Sequence, residues 1–284
     1  MNLPAAVSVG VLAGAHAATW GMYKDSVHEG FAWSKYARSV MLGAVIAGAV
    51  SLAFGAELRD ASGVVLLFGL TYAAERGAVE VYKTFLRVED QTKYVIPMQL
   101  HVGGALVRGR WDRALAGMAY VGAIATIIAG IAAFDRIEPA ALPRVVAVLV
   151  VGSIGGWLAA VGGAWKDAPI EGFDPLKFLR SPIVATCCAV LLASLTDRYL
   201  FISVAALGYE RALVETYKTF LCGGQPPGKF AGKPILFPHM LRRRRYFVPL
   251  YAAIWMVVML AFAGAMWQRI GVALPDERVT TRSP

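Results

Sequence analysis

Charged side chains are scarce in this sequence: Asp, Glu, Lys and Arg make up 17 % of the 284 residues, whereas soluble proteins average about a quarter. Apolar residues make up 57 %, and the mean hydropathy is +0.56. A soluble chain of this size cannot bury so much apolar surface, so most of it is expected to face lipid. Three cysteines are too few for a disulfide scaffold, and 13 Phe, 11 Tyr and 7 Trp exclude a disordered chain.

The sequence also lacks the usual arrangements of catalytic residues. It contains no Ser-His-Asp pattern, reactive cysteine or Asp-rich metal motif, so it assigns no catalytic residue and no metal, and it leaves cofactors unknown. Gly223-x-x-x-x-Gly228-Lys229 has the P-loop spacing, but Phe230 replaces the required Ser or Thr and a predicted helix precedes it, which disfavours nucleotide binding. His101 and His239 lack a metal-ligand pattern and are expected at the surface or the membrane interface.

Long apolar segments predict an all-α, polytopic integral membrane protein. A helix that spans the hydrocarbon needs about 20 mostly apolar residues. Eight segments fit: 4–23, 38–56, 62–86, 114–134, 143–165, 181–195, 199–221 and 246–268. The break at Thr196-Asp197-Arg198 is weak, so the sixth and seventh segments are either two full spans or a bent pair.

The distribution of basic residues predicts the orientation in the membrane. The four loops after the odd-numbered segments hold 17 of the 28 Lys and Arg residues, against seven on the other side. By the positive-inside rule these loops are cytoplasmic and both termini lie outside. The first segment is interpreted as a span and not as a cleaved signal peptide, because no basic residue precedes Lys24. The net charge of +9 therefore indicates topology and contact with anionic membrane lipids, not nucleic-acid binding.

Two blocks of sequence occur twice. Residues 24–39 recur as 166–181 at an offset of 142 with eight identities in 16 positions, and residues 75–86 recur as 210–221 at an offset of 135 with nine identities in 12. Chance gives about one match in such windows. The repetition predicts two tandem units, residues 1–140 and 141–284, each with four spans. Because four is an even number, both units are expected to enter the membrane in the same direction, as a parallel repeat.

The charged and tyrosine residues of these blocks are the candidate substrate-binding residues. They are Lys24, Asp25, Lys35, Arg38, Glu75, Arg76, Glu80, Tyr82, Lys83, Lys166, Asp167, Lys177, Arg180, Glu210, Arg211, Glu215, Tyr217 and Lys218. At 100° per residue, those of 75–86 share one helix face, which is expected to look into the bundle because ionisable groups within a membrane are costly.

Two interpretations of these residues remain open. Pairs spaced three and four apart, Arg76 with Glu80 and Glu80 with Lys83, can form a purely structural lock within one helix. Alternatively, the charges of both units converge on a cytoplasm-facing cavity that binds a phosphate or carboxylate. In the flanking turns, Gly30 and Gly172 are expected to relieve the backbone, while Ser39 and Ser181 are candidate helix caps.

Three classes of function are compatible with this pattern. The first is a transporter or channel for an anionic or phosphate-bearing small solute, with its pathway between the two units. The second is an integral membrane enzyme that acts on phosphate-bearing lipid headgroups. The third is a non-catalytic subunit of a membrane complex, whose charges are internal locks and whose loops bind a partner.

Overall fold

The structure is a computed structural model that describes residues 1–55, 58, 60–137, 142–221 and 228–273, the last four by their backbone alone. The chain is almost entirely helical. Its α-helices are α1 (Leu3–Glu29), α2 (Trp33–Phe54), α3 (Ala61–Val81), α4 (Arg110–Ile137), α5 (Arg144–Glu171), α6 (Pro175–Leu192), α7 (Tyr199–Thr216), α8 (His239–Arg243) and α9 (Phe247–Ala273). A two-stranded antiparallel hairpin, β1 (His101–Val102) and β2 (Ala105–Leu106), lies between α3 and α4.

Six helical segments in the described part of the chain are long and apolar enough to cross a membrane. They are α1, α2, α4, α5, α6 and the segment His239–Arg269, which includes α8 and most of α9. The remaining long helices, α3 and α7, coincide with the third and seventh predicted segments. Their apolar sequence is interrupted by charged residues near their carboxyl ends. α6 and α7 are separate helices that pack side by side.

The first three helices of each predicted unit pack in the same way. α1 contacts α2 and α3, and α2 contacts α3; α5 contacts α6 and α7, and α6 contacts α7. α3 and α7 pack against each other at the centre. The fourth helices cross over: α4 of the first unit packs on α7 of the second, while α9 of the second unit packs on α3 and α1 of the first. The two units are therefore interlocked.

Small residues hold equivalent helices close together in both units. A Cβ on Gly14 in α1 would lie 2.3 Å from the Ser39 carbonyl oxygen of α2. A Cβ on Gly156 in α5 would lie 2.6 Å from the Ser181 carbonyl oxygen of α6. Both residues of the second contact follow those of the first by 142 positions, the offset of the first repeated block. Such close approach of backbones is typical of helix packing within membranes.

The central crossing of α3 and α7 is also made by glycine. A Cβ on Gly208 would lie 2.0 Å from the Gly69 carbonyl oxygen, so the two backbones touch there. The two helices run in the same direction through the crossing, because Gly69 faces Ala205 while Arg76, two turns later, reaches Glu215. Their charged carboxyl ends consequently lie at the same end of the molecule.

Two local predictions about the turns have opposite outcomes. Gly30 and Gly172 end α1 and α5 with φ of 75° and 84°, which confirms the glycine turns. The caps at Ser39 and Ser181 are wrong. α2 and α6 begin earlier than predicted, so both serines lie inside their helices, and the side chain of Asp174 caps α6 instead by accepting from the Leu176 backbone N–H.

The segment Tyr-Lys-Thr-Phe-Leu, which ends both repeated blocks, forms a π-helical turn and not the predicted α-helix. These turns are Tyr82–Leu86 and Tyr217–Leu221. In the first, the Arg87 N–H donates to the Tyr82 carbonyl at 2.8 Å, and the Thr84 carbonyl accepts from the Leu100 N–H at 2.9 Å. The wide turn thus ends the helix and attaches the following loop. Single π-helical turns are frequent at functional sites.

Candidate functional site

One large cavity, which we call the basic cavity, lies at the carboxyl ends of α1, α3, α5 and α7 and has a volume of about 1720 Å³. Thirteen of the eighteen candidate residues line it: Lys24, Asp25, Lys35, Arg38, Arg76, Glu80, Lys83, Lys166, Asp167, Lys177, Arg211, Glu215 and Lys218. They come from both predicted units, so the structure brings the two repeated sets of charges to one site.

The other five candidate residues do not line the basic cavity. Tyr82 and Tyr217 are 44 % and 47 % exposed, because the π-helical turn departs from the 100° per residue on which the predicted face depends. Arg180 is partly buried outside the lining. Glu75 and Glu210 are fully buried behind the cavity wall.

Two acids of the basic cavity, Glu215 and Glu80, pair with bases of the other predicted unit. The Arg76 guanidinium lies 3.1 Å from Glu215 Oε1, and the Tyr72 hydroxyl donates to Glu215 Oε2 at 2.5 Å. Lys166 donates to Glu80 Oε1 at 2.8 Å. Among the described residues Glu80 forms no ion pair with Arg76 or Lys83, so the intrahelical lock is wrong in its partners. The carboxyl ends of α3 and α5 face each other across the cavity, and the long side chains of Glu80 and Lys166 meet there instead.

Trp20 organises the cations near this pair. Lys24 Nζ lies 4.0 Å above its ring and the Arg76 guanidinium 5.1 Å from it, while the indole N–H donates to Thr219 Oγ1 at 2.8 Å. Cation–π contacts with a partly desolvated indole stabilise such an arrangement. Sequence reasoning missed Trp20 because the repeat does not preserve it: an offset of 142 falls on Gly162.

Several cations of the basic cavity have no acidic partner. Lys83, Arg211 and Lys218 have no carboxylate within 4.0 Å in the part of the chain that the structure describes, and Arg38 faces only the Tyr82 ring, at 5.9 Å. In all, thirteen Lys or Arg residues line the cavity against six Asp or Glu residues. An uncompensated cluster of this kind attracts and orients an anion.

The loops after α3 and α7 cover the carboxyl end of α1. Lys229 donates to Asp25 Oδ2 at 2.7 Å and lies 3.8 Å from Glu29, to which the Tyr94 hydroxyl donates at 2.8 Å. Next to them the Phe230 ring stacks on His28, with a centroid distance of 4.3 Å. Lys229 belongs to the P-loop pattern for which the sequence disfavours nucleotide binding. Residues 223–227 of this pattern lie outside the described residues. Its role here is to hold a loop to α1.

Burial and neighbouring charges shift the pKa values of ionisable groups in the loop between α3 and α4. Burial, reinforced by the charge of Glu29, raises the pKa of Tyr94, so its hydroxyl stays protonated and can donate. Burial opposes ionisation of Glu89, but the hydrogen bond from Lys93 and the charge of Arg87 lower its pKa below the usual value. Burial and the charge of Lys166 lower the pKa of His101, which keeps that ring neutral near pH 7.

The expected surface position of His101 is wrong. The residue is 1 % exposed and lies parallel to the Trp165 ring, with a centroid distance of 5.8 Å. The loop between α3 and α4 folds back on the bundle and carries His101 with it. In the described part of the chain no group of three or more His, Cys, Asp or Glu residues is placed to hold a metal ion.

Glu75 and Glu210 form a matched pair of buried carboxyl groups. None of their oxygens has a hydrogen bond of good geometry to another described residue. The hydroxyls of Ser39 and Ser181 are the equivalent neighbouring groups placed to approach them. Burial of an unpaired acid is costly, so the same cost is carried at equivalent positions of the two repeated blocks.

We expect Lys229→Ala to loosen the loop cover. The substitution removes a charge-assisted hydrogen bond to a partly buried acid, so hydrogen exchange of backbone amides in 228–238 should accelerate by about tenfold. Lys233→Ala is the matched control, because Lys233 lies in the same loop and, among the described residues, its ammonium donates to the Thr92 carbonyl and to no acid. Equal exchange rates in the two variants, measured by mass spectrometry, would show that Lys229 does not hold the loop.

Over the residues that the structure describes, fold and site define an all-helical protein with six helices able to cross a membrane and a strongly basic cavity. Comparison with protein-family models, with curated proteins and with solved structures finds no match. Function is therefore argued from the site itself.

Proposed function

We propose that the protein is a membrane transporter that binds an anionic, phosphate- or carboxylate-bearing solute in the basic cavity. The observation that carries this proposal is the set of cations without acidic partners, Lys83, Arg211 and Lys218, contributed to one cavity by both units. Fixed ammonium and guanidinium groups bind such anions through charge-assisted hydrogen bonds. The π-helical turns that carry Lys83 and Lys218 have the same sequence, so the two units offer equivalent ligands.

In this proposal all eight long helices cross the membrane as two parallel units. The six apolar helices surround α3 and α7, whose charges then face the protein interior and not lipid. Further ion pairs, such as Asp135 with Arg198, lie at the opposite ends of the helices, as expected for two membrane surfaces. The equivalent glycine contacts and helix packings support the duplication. The positive-inside rule places the basic cavity on the cytoplasmic side and both termini outside.

The geometry suggests how an anion would act on the protein. α3 and α7 touch at Gly69 and Gly208, so a solute bound among the cations has no open path between these two helices. The pair of Arg76 with Glu215 joins the same two helices two turns farther along. An anion that attracts Arg76 weakens this pair, and it thereby favours movement of one unit against the other, as alternating access requires.

The test is flux through purified protein in liposomes, with radiolabelled inorganic phosphate and citrate as probes. We expect uptake above that of empty liposomes, and Arg211→Ala should lower it at least about tenfold, because it removes a charge-assisted contact. Arg136→Ala, which removes an exposed arginine at the other end of α4, is the control and should keep full flux. Absence of flux for both probes, or equal flux in the two variants, contradicts the proposal.

A further inference from the structure

The basic cavity continues into an apolar cleft, which we call the lateral trough. Its walls are Val121, Ile124, Ile127, Ile128 and Ile131 of α4 and Ile154, Leu158 and Val161 of α5, and its floor is Val204 and Leu207 of α7. α4 and α5 each pack on α7 but not closely on one another, which leaves the cleft between them.

The lateral trough opens sideways. Val121, Ile128 and Val161 line it and are 48 %, 41 % and 57 % exposed, and the gap between α4 and α5 leaves the trough open on that side. Ser203 lies within it, but its hydroxyl is occupied by a 2.8 Å hydrogen bond to the Val151 carbonyl. A side opening with an apolar lining faces hydrocarbon when α4 and α5 cross the membrane.

The dimensions of the lateral trough match one lipid leaflet. From Tyr120 to Ile131 the α4 wall rises about 16 Å, close to half of the roughly 30 Å hydrocarbon thickness. Its polar end is marked by Tyr120, on which the charges of Glu80 and Arg211 act. The trough therefore begins at the depth of the uncompensated cations and runs toward the centre of the bilayer.

We propose that the anion bound by the basic cavity is the phosphate headgroup of a membrane lipid, whose chain lies in the lateral trough. This inference rests on the proposed anion binding and specifies its ligand. The continuity of the apolar trough with unpaired Arg211, Lys83 and Lys218 supplies the charge complementarity, and the loops held by Lys229 cover the aqueous end. A lipid can enter from the side and bring its phosphate to the cations.

The selectivity among lipids is expected to come from the headgroup and not from the chain. A chain that moves from the bilayer into the lateral trough stays in apolar surroundings and gains little. The cations gain charge-assisted hydrogen bonds to phosphate, so the site selects anionic over zwitterionic lipids by on the order of tenfold for each strong contact. The trough supplies access, and blocking it should abolish binding even when every cation is present.

The experiment compares lipids that remain bound to the full chain after release from nanodiscs of mixed phosphatidic acid and phosphatidylcholine, measured by native mass spectrometry. We expect phosphatidic acid to be enriched about tenfold in the wild type. Leu158→Trp, which fills the trough, and Arg211→Ala, which removes a cation, should both abolish the enrichment. Val150→Trp is the matched control, because Val150 is 57 % exposed on α5 and does not line the trough.

Each outcome decides between the two proposals when binding of labelled glycerol 3-phosphate is measured in parallel. Enrichment that survives Leu158→Trp places the lipid on the outer surface and overturns the inference. No enrichment, with glycerol 3-phosphate bound in an Arg211-dependent manner, overturns the lipid ligand but retains the anion site. Failure of both ligands to bind overturns the proposed function as well. If Leu158→Trp does not fold, the wild-type enrichment and its loss in Arg211→Ala still test the inference. A trough filled by a helix of a partner protein would give no lipid enrichment and no dependence on Arg211.

Discussion

Glu215→Gln should destabilise the protein by about 3 kcal/mol, far more than the same change at Glu210 on the same helix. Glu215 pairs with Arg76 and accepts from Tyr72, and its side chain is only 7 % exposed. Removing one partner of a buried ion pair leaves the other charge uncompensated, at a cost of about 3–5 kcal/mol. We take the lower end because Arg76 keeps its contact with the Trp20 ring.

Glu210→Gln is the matched control for this prediction. Its carboxyl group is as buried as that of Glu215 but has no ion-pair partner within the described residues, so the neutral amide removes no pair. We expect a change within about 1 kcal/mol. Thermal unfolding of the purified variants in one detergent measures both. Equal losses would mean that the ion pair between the units contributes nothing specific to stability.

Of the single methyl groups that can be added to α3 and α7, the one added by Gly208→Ala should destabilise the protein most. Its Cβ would lie 2.0 Å from the Gly69 carbonyl oxygen, which is backbone and cannot rotate away. α3 and α7 must then separate, which loosens every contact of the crossing. We expect a loss of about 3 kcal/mol, at the upper end of the usual range for overpacking.

The control for this prediction is Gly130→Ala in α4. A Cβ at Gly130 meets no atom within 4 Å, so the substitution only improves helix propensity. We expect a gain of about 0.5–1 kcal/mol. Opposite signs in thermal unfolding support a close α3 and α7 crossing. A tolerated Gly208→Ala would require the two helices to lie farther apart than they do here.

Much of the helical framework could be predicted from sequence, because long apolar segments have few alternatives to a helix. The meeting of thirteen candidate residues in one cavity agrees with one of the two interpretations that the repeated blocks left open. The predicted starts of α2 and α6 at Arg38 and Ser181 failed because the first turns of both helices carry Lys and Arg residues, and apolar content alone does not mark a helix start there.

The partners of the charges could not be predicted. Spacing along one helix predicted an ion pair of Glu80 with Arg76, but Glu80 pairs with Lys166 across the cavity. Trp20 and Tyr72 are absent from the repeated blocks, so no pattern marked them. Lys229 lies far from Asp25 in sequence, and only the folded loop brings them together.

The crossed fourth helices have a consequence for biosynthesis. α3, with its buried acid and arginine, is made well before α9, which packs against it and against α1. The polar centre around α3 therefore waits for the synthesis of α9 before it is enclosed. Truncation within α9 should accordingly expose α3 to quality-control proteases, although every residue of the first unit is intact.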